Sequence, residues 1–262
     1  MLAVIASIGA SLAAAPAKAQ DGVQPLGRGT YVSLFGGGGF ASGNSITQRG
    51  TAYFLEIAGG PLAVDASGNA GSGGVGFIGG QIGHEWSNST IVLPAVELEG
   101  FYLSNGTRSA TLQNPTSRLD EHTFDDSFSM STSVFLLNLV LSLPTSYPNV
   151  TPYIGGGIGG ARVALNGANS LQVAPPEGGV NHFNSDTDSS VFTFAAQAKA
   201  GVRITLGANT FLFGEYRYLF VGSTEHTFGS TVYPFHAETS PWTVSMDGSS
   251  YSLATAGIGI NF

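Results

Sequence analysis

Short and long connections alternate strictly along this chain, and that rhythm limits its fold more than any single motif does. Alternation of apolar with polar or small residues marks eight candidate strands, at 31–40, 74–86, 90–104, 127–143, 150–165, 191–206, 210–221 and 249–262. The second and third are joined by Ser87-Asn88-Ser89, the fourth and fifth by 144–149, and the sixth and seventh by Gly207-Ala208-Asn209. Between these tight turns run 41–73, 105–126, 166–190 and 222–248, each far longer than a hairpin turn. In an up-and-down sheet successive connections fall at opposite ends, so the tight turns share one end and the long loops the other. A soluble sandwich gives no reason for such a division. The expectation is all-β, an eight-stranded antiparallel up-and-down barrel.

The faces of the strands say what surrounds that barrel. In 191–206, Phe192, Phe194, Val202 and Ile204 share one parity, while Gln197, Lys199, Gly201 and Arg203 share the other. In 210–221, Leu212, Tyr216, Tyr218 and Phe220 oppose Glu215 and Arg217, and in 90–104, Val92, Val96, Leu98 and Tyr102 oppose Glu97 and Glu99. A water-soluble barrel buries the apolar set. A membrane barrel inverts the arrangement, giving the apolar set to lipid and the charges to the lumen. All eight segments reach the nine to eleven residues that a tilted membrane-crossing strand requires. Two read less cleanly. In 127–143 the serines at 127, 129, 131 and 133 occupy the polar parity, which switches near Val134-Phe135, as a β-bulge would make it. The stretch from Val150 is so rich in glycine that its faces stay unassigned. Its Gly155-x-Gly157-x-x-Gly160 matches a dinucleotide fingerprint, but no helix or βαβ unit follows, so no cofactor is expected there.

The start of the chain carries an apolar run from Leu2 to about Ala15 and then Ala17-Lys18-Ala19, a small-x-small cleavage pattern. The domain reading is therefore a signal peptide at 1–19, a periplasmic segment at 20–30 and a transmembrane barrel at 31–262. Only nine residues are Lys or Arg and the net charge is −8, so no basic stripe is available for nucleic acid. The absence of cysteine fits an exported protein that uses no disulfide.

Three stretches carry a resemblance. They are Thr151-Pro152-Tyr153-Ile154-Gly155-Gly156-Gly157-Ile158-Gly159, then Glu215-Tyr216-Arg217-Tyr218 followed by Gly222, and the terminal Gly257-Ile258-Gly259-Ile260-Asn261-Phe262. In these the chain resembles the small OmpA-like, porin-family barrels of Gram-negative outer membranes. The resemblance implies outer-membrane lipid and the barrel-assembly machinery as partners, a monomer, extracellular loops and periplasmic termini. It also implies that Phe262, with Ile260 and Ile258 behind it, is the assembly signal.

Charge placement suggests an interior role. Glu85, Glu97, Glu99 and Glu215 lie in strands, where Lys199, Arg203 and Arg217 face them as a lumen charge network, because an ion alone in a narrow interior is costly. Eight strands leave a lumen that side chains can just fill. Arg162 shares parity with Ile154 and Ile158 and is expected at the rim. Nearly all the other acids fall in the long loops, making that end anionic. Aromatics such as Tyr53, Phe54, Tyr233, Phe235 and Trp242 predict that the first and fourth loops continue as hairpins above the membrane.

Histidines 122, 182, 226 and 236 lie in loops, and His84 falls at the periplasmic interface. The tetrapeptide EHTF occurs at 121–124 and 225–228, but no H-x-x-x-H spacing appears, so its histidines read as solvated and no metal site is expected. Asn184, Asp186 and Asp188 only hint at calcium geometry. The functional expectation is a structural or surface-interaction barrel, for adhesion or host contact, with a charge-plugged lumen and no catalytic residues. A narrow porin-like channel for small solutes is the alternative. An enzyme using His122, Asp125, Asp126 and His226 at the loop bases ranks below both, since no Ser-His-Asp arrangement is evident.

Overall fold

A computed structural model describes residues 29–53, 61–87, 92–114, 122–147 and 149–262. The expected signal peptide lies outside the described residues, as do Phe54, Glu121 and all but the end of the 20–30 segment. Twelve strands occur among the described residues. They are β1 (Gly29–Ala41), β2 (Asn44–Ala52), β3 (Leu62–Ala70), β4 (Gly73–Glu85), β5 (Leu93–Gln113), β6 (Thr123–Ser142), β7 (Val150–Ala174), β8 (Ser189–Thr205), β9 (Thr210–Val221), β10 (Thr224–Phe228), β11 (Trp242–Met246) and β12 (Ser249–Asn261).

Eight of these close into the expected barrel. The order β1-β4-β5-β6-β7-β8-β9-β12 is antiparallel throughout. The last strand pairs with the first from Tyr31↔Asn261 to Ala41↔Tyr251, so no edge is left in the wall. Strand β1 starts at Gly29, two residues before the expected barrel boundary.

The other four strands come from the first and fourth loops. Strand β2 pairs with β3, β10 with β11, and β11 joins β2. Strand β3 then meets the top of β5 at Ser67↔Gln113 and Gly68↔Leu112. With β5, β6 and β7 running 21, 20 and 25 residues, about twice what a bilayer crossing requires, these strands build an extracellular cap on the barrel.

Outward parity in the lower barrel gives a belt that includes Leu34, Ile78, Leu98, Leu137, Ile158 and Ile258, all exposed. Phe40 and Phe192 mark its extracellular edge, and Trp86, Tyr147 and Phe262 its periplasmic edge, as aromatic girdles do at the two membrane interfaces.

The parity switch expected in β6 does not occur. Its inward positions run unbroken from Phe124, Phe128, Met130 and Thr132 through Leu136 and Asn138 to Ser142. The four serines face outward, in the cap. What changes along the strand is the medium outside it: water above, hydrocarbon below. The hydrophobic pattern therefore reverses sign while the backbone keeps its alternation. The irregularities sit in the neighbours, between Ser104 and Gly106 on β5 and opposite Ser127/Ser129 on β7. There Gly106 and Gly167 take left-handed φ of 65° and 60°, which costs glycine no steric strain.

Glycine abundance reflects how narrow the lumen is. Tyr31 pairs across strands with Gly83, and Tyr153 with Gly201. A Cβ on Gly83 would lie 2.5 Å from the Tyr31 ring, and one on Gly201 would lie 2.8 Å from that of Tyr153. The absence of a side chain gives each ring the space to lie along the wall. The faces of β7 follow the same logic. Gly157 lies against the Asn138 side chain and Gly155 against the Lys199 stem, so the odd positions point inward up to Leu165, and the even ones from Ala168 on, past the irregularity.

Candidate functional site

Two buried assemblies stand out, one in the lumen and one in the cap. In the lumen, four carboxylates meet three cations. Lys199, directly opposite Arg217 across the β8–β9 pair, places Nζ 2.5 Å from Glu97 Oε2 and 3.2 Å from Glu99 Oε2. Arg217 pairs with both Glu99 and Glu215. Arg203, lower in the barrel, reaches Glu85 at 3.2 Å and Glu97 at 3.9 Å. The side chains of all seven are at most a few per cent exposed.

Ions so removed from water need their remaining lone pairs satisfied. Tyr31 donates its hydroxyl to Glu97 at 2.5 Å and Tyr153 donates to Glu215 at 2.8 Å. Ser142 donates to Glu85 at 2.7 Å, and Asn138 and Gln197 donate to Glu99 at 2.8 and 3.1 Å. The guanidiniums also lie over rings: Arg203 over Tyr31 and Phe211, Arg217 over Phe35. A layer formed by Phe35, Phe77, Phe101 and Phe213, with ring centroids 6.1–6.5 Å apart, adjoins Arg217. Charge and aromatic layers thus stack one above the other inside the barrel.

Outside this assembly, Arg162 is exposed at the upper rim and donates to Ser190. Phe262, Ile260 and Ile258 point outward along β12. His84 shares a 3.0 Å hydrogen bond with Thr30 and packs edge-on against Trp86 at the periplasmic end.

The cap is built the other way round, with an apolar centre like that of a soluble protein. Phe183 stacks on Phe228 at 4.7 Å, and Trp242 and Leu112 are buried beside the same cluster. His226, read from the sequence as solvated, is fully buried on β10, because that strand turns its alternate residues into the cap. Burial without a charged partner pushes its imidazole down to about 4. Asp126, in the extracellular half of β6 above the lipid belt, is also buried, and desolvation lifts its carboxyl to about 7.

The cap also holds a cavity of about 50 Å³, lined by Leu62, Val64, Phe124, His182, His236 and Trp242, with Glu177 and His122 at its wall. His182 and His236 both direct Nε2 at Glu177 Oε2, at 3.6 and 3.3 Å. Desolvation holds the His182 imidazole below its ordinary range. Sequence spacing gave no sign of this cluster, because His236 is 59 residues from Glu177.

The catalytic candidates are not assembled. Asp125 faces outward and accepts from Thr111 at 2.7 Å, Asp126 faces inward, and His226 lies within the apolar core. The residues with a hint of calcium geometry instead hold backbone: Asp188 accepts from Gly167 N, Asp186 from Asp188 N, and Asn184 brackets Val232.

The closed eight-strand wall, the lipid-facing belt and the charged lumen describe a membrane barrel, and a sequence model of the outer membrane protein beta-barrel domain matches residues 3–245. The chain belongs to that family. It is a Gram-negative outer-membrane barrel with its long loops extracellular and its short turns periplasmic. No curated protein sequence matches it. Among solved structures, it is similar to Neisserial surface protein A, at 14% identity over 90% of this chain and 99% of that one, with a TM-score of 0.35. It is also similar to OprG from Pseudomonas aeruginosa, at 10% identity over 92% and 99%, TM-score 0.43. A third is Ail of Yersinia pestis, at 10% identity over 83% and 98%, TM-score 0.24. At such identities and scores these likenesses transfer no activity to this protein.

Proposed function

We propose that this member of the family is a non-catalytic structural and surface-contact barrel whose lumen is plugged by its own side chains. The observation that carries the reading is the bridging of the lumen by Lys199, Arg203 and Arg217 to Glu85, Glu97, Glu99 and Glu215. A permeating solute would have to displace paired ions whose side chains are almost wholly buried. Contact then falls to the cap, where β2, β3, β10 and β11 order the first and fourth loops, and the four long connections together carry twelve of the chain's seventeen acidic residues. Such an anionic, ordered surface suits adhesion or host contact with cationic partners. The lipid belt and aromatic girdles suit a monomer, with Phe262, Ile260 and Ile258 as the signal for the barrel-assembly machinery.

Planar-bilayer recording of the purified folded barrel tests the plug. The expected record is flat apart from rare, brief openings. A large, steady conductance would overturn the reading and favour a narrow channel for small solutes.

A further inference from the structure

The geometry points to a divalent transition-metal site of the zinc class formed by Glu177, His182 and His236, clipping the third extracellular loop to the fourth. Both histidines are oriented as metal ligands are. His182 Nδ1 lies 3.0 Å from the Ser170 carbonyl oxygen, and His236 Nδ1 lies 2.7 Å from that of Ala237. A carbonyl only accepts, so each Nδ1 carries a proton, and the neutral form of each ring presents its lone pair at Nε2. Those lone pairs converge on Glu177 Oε2 at 3.6 and 3.3 Å, and a carboxylate oxygen also only accepts. Three acceptors facing one another repel, and a cation between them turns the repulsion into coordination.

The remaining dimensions agree. The Nε2–Oε2 separations of 3.6 and 3.3 Å are near the roughly 3.3 Å between tetrahedral ligands about 2 Å from a shared ion, and all three ligand atoms lie within 4.8 Å of one another. Two imidazoles and one carboxylate form a donor set that zinc takes up, with water completing the shell. The cavity of about 50 Å³ has room for an ion and a water. His182 is buried against Phe124 and Trp242, which fixes its ring, while Glu177 and His236 are partly exposed and give an ion a way in. Glu177 and His182 belong to the connection between β7 and β8, and His236 to that between β10 and β11. The site is independent of whether the lumen conducts.

The test uses the full barrel, folded in detergent, stripped with chelator and titrated with zinc against a chromophoric competitor. One equivalent should bind, and cobalt should give a visible absorption band typical of four- or five-coordination. His182→Ala and His236→Ala should each weaken zinc binding roughly tenfold or more, while His84→Ala leaves it unchanged. A heat-modifiability gel confirms that each variant is folded. Should His182→Ala fail to fold, the partly exposed His236→Ala and the cobalt spectrum of the unaltered protein carry the test. Failure of the unaltered barrel to bind zinc, or affinity equal to wild type in folded His236→Ala, would overturn the site.

Discussion

Replacing Lys199 by methionine keeps most of the side chain's volume and removes its charge, which isolates the ionic contribution to the lumen network. The charge lost sits 2.5 Å from Glu97 and 3.2 Å from Glu99. The two carboxylates are not equally exposed to the loss. Glu99 keeps Arg217, Asn138 and Gln197. Glu97 keeps the Tyr31 hydroxyl, Gln81 at 3.4 Å and a distant Arg203 at 3.9 Å. Glu97 is thus the ion left stranded. Removing one partner of a buried pair costs ~3–5 kcal/mol, and the surviving donors put Lys199→Met near ~3 kcal/mol. Urea unfolding of the detergent-folded barrel, read by the heat-modifiability shift, measures that loss as a lower midpoint. Adding Glu97→Gln removes the stranded charge and should restore more than half of it. A single variant within ~0.5 kcal/mol of wild type would refute the idea that these charges hold the lumen together, because ordinary surface substitutions already span that range.

Two buried groups make the cap's stability depend on pH in opposite senses. The folded-state pKa of His226, about 4, lies below its ordinary 6.5, so an opened cap binds the proton more readily. The stability from keeping it neutral is full above about pH 6.5 and falls towards pH 4, by up to about 3 kcal/mol. Asp126 opposes this, since its raised pKa of about 7 makes stability decline as pH rises from about 4 to 7. Protease cleavage of the loops from pH 7.5 to 4.5 reads the balance: Asp126→Asn leaves the His226 contribution, so cleavage should rise in acid, and His226→Phe leaves the Asp126 contribution, so cleavage should fall in acid. In the lumen, Gly201→Val should push Tyr153 off Glu215 and lower the unfolding free energy by ~1–3 kcal/mol, seen as a lower urea midpoint, or block folding. Gly74→Ala, with open space around its Cβ position, should not, and equal midpoints for the two variants would rule out the close-packed wall.

Much of the barrel could be read along the chain because its causes are local. Glu97 and Glu99 on one parity against Leu98 and Tyr102 on the other required only the two-residue period of a strand. Counting outward from the Gly207-Ala208-Asn209 turn puts Lys199 and Arg217 at similar height, and the register makes them direct cross-strand partners. The reading of β6 failed for a reason the sequence does not state. Ser127–Ser133 and Leu137–Leu139 occupy the same outward face, but one part meets water and the other lipid. His226 misled for a related reason, since a residue in a long loop was taken as solvated although the loop had an interior of its own.

The sequence by itself determined the number of membrane strands, their up-and-down connection and the sign of the lumen charges, because each depends on neighbours in the chain or across a short turn. Tertiary structure alone decided that the first and fourth loops share a sheet, that Arg203 reaches Glu85 from the far side of the lumen, and that Glu177 and His182 meet His236. Those meetings join residues far apart along the chain, and only closure of the barrel and folding of its cap bring them within bonding distance.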